Sequence, residues 1–142
     1  MSGSLVIDSC VALKWFVDEH DSTSAHRLLT SDLDLVAPDL ILVELANAFR
    51  KNARLQRMPV EQLERAMETA HRMFTTQIAS SALIDEALLL ARDIDHPVYD
   101  CIYVVAARRA GAPLVTSDSR LVAKVAGTSD KDRVILLEHW KP

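Results

Sequence analysis

The sequence predicts a three-layer α/β/α domain built on a short central parallel sheet. Its candidate strands are brief and apolar at consecutive positions, the pattern of strands covered on both faces. Longer segments with helical spacing separate them, as parallel crossovers require. The chain has 142 residues, 49% of them apolar, which is the size of one ordinary domain with a substantial core. No repeat, low-complexity tract or linker divides it, so residues 1–142 are expected to form a single domain.

Leu5-Val6-Ile7 reads as the first strand, with Asp8 at its C-terminal end, and residues 11–16 as the helical turn after it. Residues 22–29 form a second helical segment. Leu35-Val36-Ala37 is the second strand, closed by Pro38, and Asp39 is placed to cap a helix over residues 40–52, which are rich in strong helix formers. Pro59 suits a first helical position, and Leu63, Met67, Ala70 and Phe74 then recur on one helical face. Residues 81–94 make another helix. Pro97 opens the next and Gly111 stops it. Leu114-Val115-Thr116 is a strand, residues 121–126 a short helix, and residues 134–137 the last strand.

Composition excludes several classes. The net charge of -4 is not that of a protein that coats nucleic acid by bulk electrostatics, so any case for RNA or DNA must come from a local site. No apolar run approaches the roughly 18 residues that a membrane span needs. The N-terminal MSGSLVIDS lacks the basic and apolar regions of a secretory signal, so the expected location is cytoplasmic. Cys10 and Cys101 are too few for a disulfide scaffold and form no CxxC pair; both read as reduced residues of the core.

The chemistry lies in the acids. Open parallel sheets build sites beyond the carboxyl ends of their strands. Asp8 follows the first strand, and Asp118 follows Leu114-Val115-Thr116. Glu44 falls about one turn into the helix after the second strand, flanked by Leu42, Val43, Leu45 and Ala46. Asp100 sits near the start of the helix opened by Pro97, among Val98, Tyr99, Cys101 and Ile102. Neither neighbourhood is an ordinary solvated face. Four carboxylates at one rim repel each other unless a cation lies among them, and oxygen-only ligation favours Mg²⁺ or Mn²⁺. Zinc is disfavoured because no His/Cys set has suitable spacing. Mg²⁺ held by acids binds a phosphate oxygen, activates water and steadies a leaving oxygen, so the predicted chemistry is metal-assisted phosphodiester hydrolysis. Each acid has a structural alternative. Asp8 and Asp118 could cap the helices that follow them, Asp100 could merely favour a helix N-terminus, and Glu44 could pair with a buried arginine. Each alternative accounts for one acid; none accounts for all four.

LVIDSCVALKWFV, VAPDLILVELANAF and HPVYDCIYVVAARRAGAPLVTSDSRL resemble successive blocks of the PIN-domain family, most closely its VapC-type toxins of toxin–antitoxin pairs. The blocks are individually short, but they occur in order over nearly the whole chain. The resemblance implies a metal-dependent ribonuclease with an α/β/α fold. It places the family's four motif acids on Asp8, Glu44, Asp100 and Asp118. Thr116 matches a T-x-D pattern, and its hydroxyl is expected to support the acids or a metal-held water. Such proteins are typically homodimers, neutralised by a small antitoxin whose C-terminal segment inserts a basic side chain among the acids. One departure is Cys10, which stands where the first motif often has Ser; a thiol there weakens the expected support.

Arg50, Arg54 and Arg57, with Lys51 beside them, would make one basic stripe if helical, either a solvated face or a track for an RNA backbone or an acidic antitoxin surface. Arg108 and Arg109 are expected to complement a helix C-terminus. His96, in the loop before Asp100, reads as a turn residue rather than a ligand. Trp15 and Phe16 are expected in the core or at a dimer contact, and Trp140 over the core or in an exposed contact. Two other classes compete with a nuclease. A non-catalytic PIN-like module would bind RNA or a partner protein through the same groove. A phospho-receiver would need adjacent acids after the first strand and a lysine after the last; here Ser9 and Cys10 follow Asp8, and the last strand leads into Glu138.

Overall fold

In the computed structural model, which describes residues 3–142, the five strands are β1 (Ser4–Ile7), β2 (Asp34–Pro38), β3 (Thr76–Ile78), β4 (Leu114–Thr116) and β5 (Val134–Leu136). They pair in the order β3-β2-β1-β4-β5, every pair parallel. The helices are α1 (Ser9–Ala12), α2 (Ser22–Leu29), α3 (Leu40–Arg54), α4 (Leu63–Met73), α5 (Ile84–Ile94), α6 (Val98–Ala110) and α7 (Ser119–Val125). The layers are those expected from the sequence. Among the described residues, no helix is long and apolar enough to cross a membrane.

The strand order fixes where a site can form. The chain moves from β1 outward to β2 and β3, then returns to lay β4 on the other side of β1. The reversal lies between β1 and β4, the switch point at which open sheets leave a crevice. Val6 pairs with Leu114 and Ile7 with Val115, so Asp8 and Thr116 emerge side by side, and the Asp8 N–H donates to Val115 O at 3.1 Å.

α6 is the central helix. It packs across β1, β2 and β4 and against α5. Residues 101–107 are all buried, which removes any polar face and explains why the sequence there shows no amphipathic period. Its one acid, Asp100, is confined to the first turn, at the rim. Gly111 ends the helix at φ 60°, and the Ala112 N–H reaches back to Ala107 O at 3.1 Å. A Cβ on Gly111 would meet nothing within 4 Å, so the left-handed backbone, not space, selects glycine.

Several expectations are corrected. β3 was not anticipated. It is a three-residue edge strand, Thr-Gln-Ile, with one exposed and two half-buried side chains, and carries neither an apolar run nor clear alternation. Asp39 does not cap α3 with its own side chain. Its Oδ1 accepts from the Ser80 N–H at 2.9 Å and hydroxyl at 2.5 Å, while Ser80 Oγ accepts from the Leu40 N–H at 3.1 Å. The cap comes from a residue 40 positions away, beyond any local reading. Pro59 and Pro97 precede their helices rather than occupying the first helical position. Trp15 and Phe16 are half-buried against the core. Phe16 meets Phe49 edge to face at 4.9 Å, Trp15 lies 6.2 Å from Phe74 and donates to Ala25 O at 2.8 Å, and Trp140 is buried.

Candidate active site

Four elements deliver the predicted acids to one rim. Asp8 directly follows β1 and is buried. It occupies the position that would cap α1 but makes no capping bond; instead its Oδ2 accepts from the Thr116 hydroxyl at 2.7 Å. Thr116, fully buried at the end of β4, also accepts from the Asp118 N–H at 3.0 Å. One hydroxyl thus ties the first acid to the last. Asp118 does cap α7, since its Oδ1 accepts from the Arg120 and Leu121 N–H groups at 2.9 and 3.3 Å. Capping does not remove it from the rim, because a carboxylate oxygen of Asp118 lies within 4.8 Å of donor atoms of both Asp100 and His96.

Glu44 and Asp100 are half-buried, and each is held by a neighbour. Glu44 pairs with no arginine; its Oε1 accepts from the Tyr103 hydroxyl at 2.5 Å. Tyr103 is fully buried, three residues after Asp100 on α6, and burial pushes its phenol far above the usual range, so it stays a donor. Asp100 Oδ2 lies 2.7 Å from His96 Nε2. The Ser9 side chain lies beside Glu44 and Tyr103. α1 begins at Ser9 itself.

Three of the acids also feel one another electrostatically. Burial raises the Asp8 carboxyl to about 7, against the opposing pull of the Thr116 hydrogen bond, and the charges of Asp100 and Glu44 raise it further. Glu44 is raised by burial, opposed by Tyr103, with Asp100 adding to the rise. Asp100 is raised by burial, opposed by His96, with Asp118 adding to the rise. Asp8, Glu44 and Asp100 therefore each feel the charge of another acid. An all-ionised cluster in a desolvated rim is the arrangement a divalent cation relieves, and the donor chemistry fits one.

The chain matches the PIN domain over residues 5–127. It belongs to the PIN-domain family. Two relatives from Pyrobaculum aerophilum bear nuclease names. Ribonuclease VapC3 is 30% identical over 122 residues, covering 84% of this chain and 93% of the relative. Exonuclease VapC9 is 30% identical over 97 residues, covering 68% and 71%. The crystal structure of PAE2754 from the same organism superimposes with a TM-score of 0.67 over 96% of this chain and 85% of that one, at 23% identity, a likeness of fold.

This PIN domain departs from the sequence expectations around the acids. Cys10, at the position where Ser is common, lies 3.7 Å from Thr116 Oγ1 and accepts from the Ser117 N–H at 3.3 Å. The thiol therefore takes part in bracing the T-x-D turn. Burial and the Asp8 charge push it up to about 12, so it stays protonated. His96 is not a free turn residue: its side chain is 7% exposed and it joins Asp100 and Asp118 in a three-donor group. Tyr103 was overlooked altogether, although it is the one polar-tipped side chain in the buried run after Asp100.

The basic stripe does not form as one helical face. α3 ends at Arg54, Gln56 turns at φ 59°, and the Arg57 N–H closes the end on Asn52 O at 2.8 Å. Arg57 is thereby brought to a groove of about 360 Å³ that it lines with Lys51, Asn47 and Glu44, while Arg50 and Arg54 are exposed elsewhere on α3. Arg108 and Arg109 are engaged with Asp130 and Glu86 rather than with a helix end alone.

Proposed function

We propose that the protein is a metal-dependent endoribonuclease, the toxin of a toxin–antitoxin pair, that hydrolyses RNA phosphodiester bonds. Asp8, Glu44, Asp100 and Asp118 hold Mg²⁺ or Mn²⁺. The observation that carries this reading is the meeting of Asp8, Glu44 and Asp100, each raised by burial and further by a neighbouring acid's charge, with Asp118 beside Asp100. The family membership and the nuclease names of the relatives support it. When bound, the ion supplies charge neutralisation at the phosphate and a more acidic water. The chain's own residues do the positioning. Thr116 holds Asp8, Tyr103 holds Glu44, and Lys51 and Arg57 offer cations to the RNA backbone along the groove beside Glu44. Of Arg50, Arg54 and Arg57, only Arg57 lines this groove and serves as the substrate contact.

The partner is a small antitoxin whose C-terminal segment places a basic side chain among the acids, answering the same electrostatic demand as the metal. A homodimer is supported by the exposed apolar side chains Ile84, Leu88 and Leu89 on α5. No observation on the chain favours the non-catalytic module.

The test uses protein purified free of its partner. Cleavage of RNA is expected with Mg²⁺ or Mn²⁺ and none after chelation. Calorimetry that detects neither ion, together with inert protein on RNA, would leave only the binding-module reading. A positioning role for Tyr103 makes a finer prediction. Tyr103→Phe keeps the ring in the core, so stability should fall by only about 1 kcal/mol, the usual worth of one hydrogen bond. Cleavage should fall roughly 10–100-fold, as for other groups that orient a metal ligand. Unchanged turnover in a folded Tyr103→Phe protein would remove that role.

A further inference from the structure

We propose that His96 is a nitrogen ligand at the acid cluster, so that the site prefers Mn²⁺, or another first-row transition ion, to Mg²⁺. This rests on the metal-dependent reading above and narrows it.

Three observations carry the inference. The first is distance. Donor atoms of His96, Asp100 and Asp118 all lie within 4.8 Å of one another, and His96 Nε2 is 2.7 Å from Asp100 Oδ2. With metal–ligand bonds of about 2.1 Å, neighbouring donors of an octahedron stand roughly 3 Å apart and opposite ones roughly 4.2 Å. Small side-chain shifts bring the three donors into that range. The second is placement. The imidazole is almost wholly buried at the rim, although it arises from a loop between two helices. The third is the backbone that aims it. Asp95 sits in the left-handed region at φ 52°, the His96 N–H closes α5 on Ala91 O at 3.1 Å, and Pro97 follows immediately. A left-handed non-glycine residue is uncommon, and tends to persist where the surroundings hold it. Here the cap of α5 and the start of α6 leave His96 little freedom to turn away.

The donor chemistry then selects the ion. Mg²⁺ favours oxygen ligands and water, whereas imidazole suits first-row transition ions. An all-carboxylate rim tolerates both classes; replacing one oxygen donor by nitrogen favours the second. The competing role for His96 is to donate its Nε2–H to Asp100 and merely orient that carboxylate. The two roles predict different outcomes.

The experiment uses the full chain, purified without a partner, with Mn²⁺ alone as the spectroscopic probe. Pulsed EPR of the Mn²⁺ complex should show a directly coordinated imidazole ¹⁴N, converted to ¹⁵N when the protein is made with ¹⁵N-histidine and lost in His96→Ala. Calorimetry should give tighter binding of Mn²⁺ than of Mg²⁺ to the unaltered chain. His96→Ala and His96→Gln should weaken Mn²⁺ by at least 10-fold and Mg²⁺ by no more than a few-fold, with circular dichroism confirming the fold. Mn²⁺ bound without nitrogen coupling overturns the proposal, as does an equal loss for both ions, which would make His96 a positioning residue for Asp100. If neither ion binds the unaltered chain, the metal-dependent reading falls with it. The labelled, unaltered protein alone decides the ligation, so a variant that fails to fold does not shelter the proposal.

Discussion

Asp8→Asn is expected to reduce RNA cleavage by more than about 100-fold and, in the absence of metal, to stabilise the protein at neutral pH. The activity loss follows from the role proposed for Asp8. Even groups that only orient metal ligands typically cost 10–100-fold when removed, and Asp8 is the most buried of the four acids. The gain in stability follows from its carboxyl. Asp8 is raised from 3.8 to about 7 in the folded chain, by burial first and then by the charges of Asp100 and Glu44. The folded state therefore binds the proton more tightly than the unfolded state does, and stability must fall as pH rises between these values. The full effect, about 3 pH units at 1.36 kcal/mol each, is on the order of 4 kcal/mol. Glu44 and Asp100 are raised as well, so they act in the same direction. Metal-free protein should thus melt at a higher temperature near pH 5 than near pH 8, and divalent ion should recover the difference at pH 8 by binding only the folded state. Asparagine keeps the volume and an acceptor for the Thr116 hydroxyl, so the variant should show a shallower pH slope. Melting curves of the two proteins across pH 4.5–8.5, with and without Mn²⁺, measure this. An equally steep slope in Asp8→Asn, or near-normal cleavage by it, would separate Asp8 from the metal.

The layers and the acids were legible in the sequence because each rests on a pattern local to a few residues. Short apolar runs at consecutive positions marked β1, β2, β4 and β5, and an acid directly after β1 and just beyond β4 was already at the correct rim under the sheet rule. β3 escaped because an edge strand of three residues needs no apolar run. What surrounds the acids was legible only in part, since it depends on contacts distant in sequence. Tyr103 reaches Glu44 across 59 positions and Thr116 reaches Asp8 across 108. His96 is different: it lies four residues before Asp100, and that spacing is a usable signal. A histidine in a loop usually faces solvent, and only the turn at Asp95 directs this one inward. The arginine stripe failed for the converse reason. The spacing of Arg50, Arg54 and Arg57 was helical, but a single left-handed residue at Gln56 ends the helix before the third.

Asp130→Ala, away from the acid cluster, is expected to destabilise the protein by about 3 kcal/mol. Asp130 is 1% exposed and lies in the turn between α7 and β5. Its oxygens accept from Arg108 Nε at 3.0 Å, Arg108 Nη2 at 2.5 Å and Arg133 Nε at 3.1 Å. The bidentate pair with Arg108 anchors β5, at the sheet edge, to the buried helix α6, which in turn presents Asp100 and Tyr103. Removing one partner of a buried ion pair costs roughly 3–5 kcal/mol. The lower end applies because the two arginine side chains are 28% and 34% exposed, and water can take back part of their charge. The sign of the pH dependence is opposite to that of Asp8. The hydrogen bonds and charge of Arg108, with Arg133, hold the Asp130 carboxyl below its usual range. Its contribution is present above the unfolded value of 3.8 and is lost as pH falls through the folded one. Metal-free protein is thus limited by the acid cluster toward neutral pH and by Asp130 at low pH. Asp130→Ala should lower the melting temperature most at pH 5–7, and progressively less well below pH 3.8, as pH falls through the folded value and the native carboxylate is itself protonated. Asp130→Asn, which keeps hydrogen-bond acceptance but loses the charge, should fall between the two. Equal stability of Asp130→Ala and the native chain in urea at pH 6 would show that β5 is held by its backbone ladder and apolar contacts, without the ion pair.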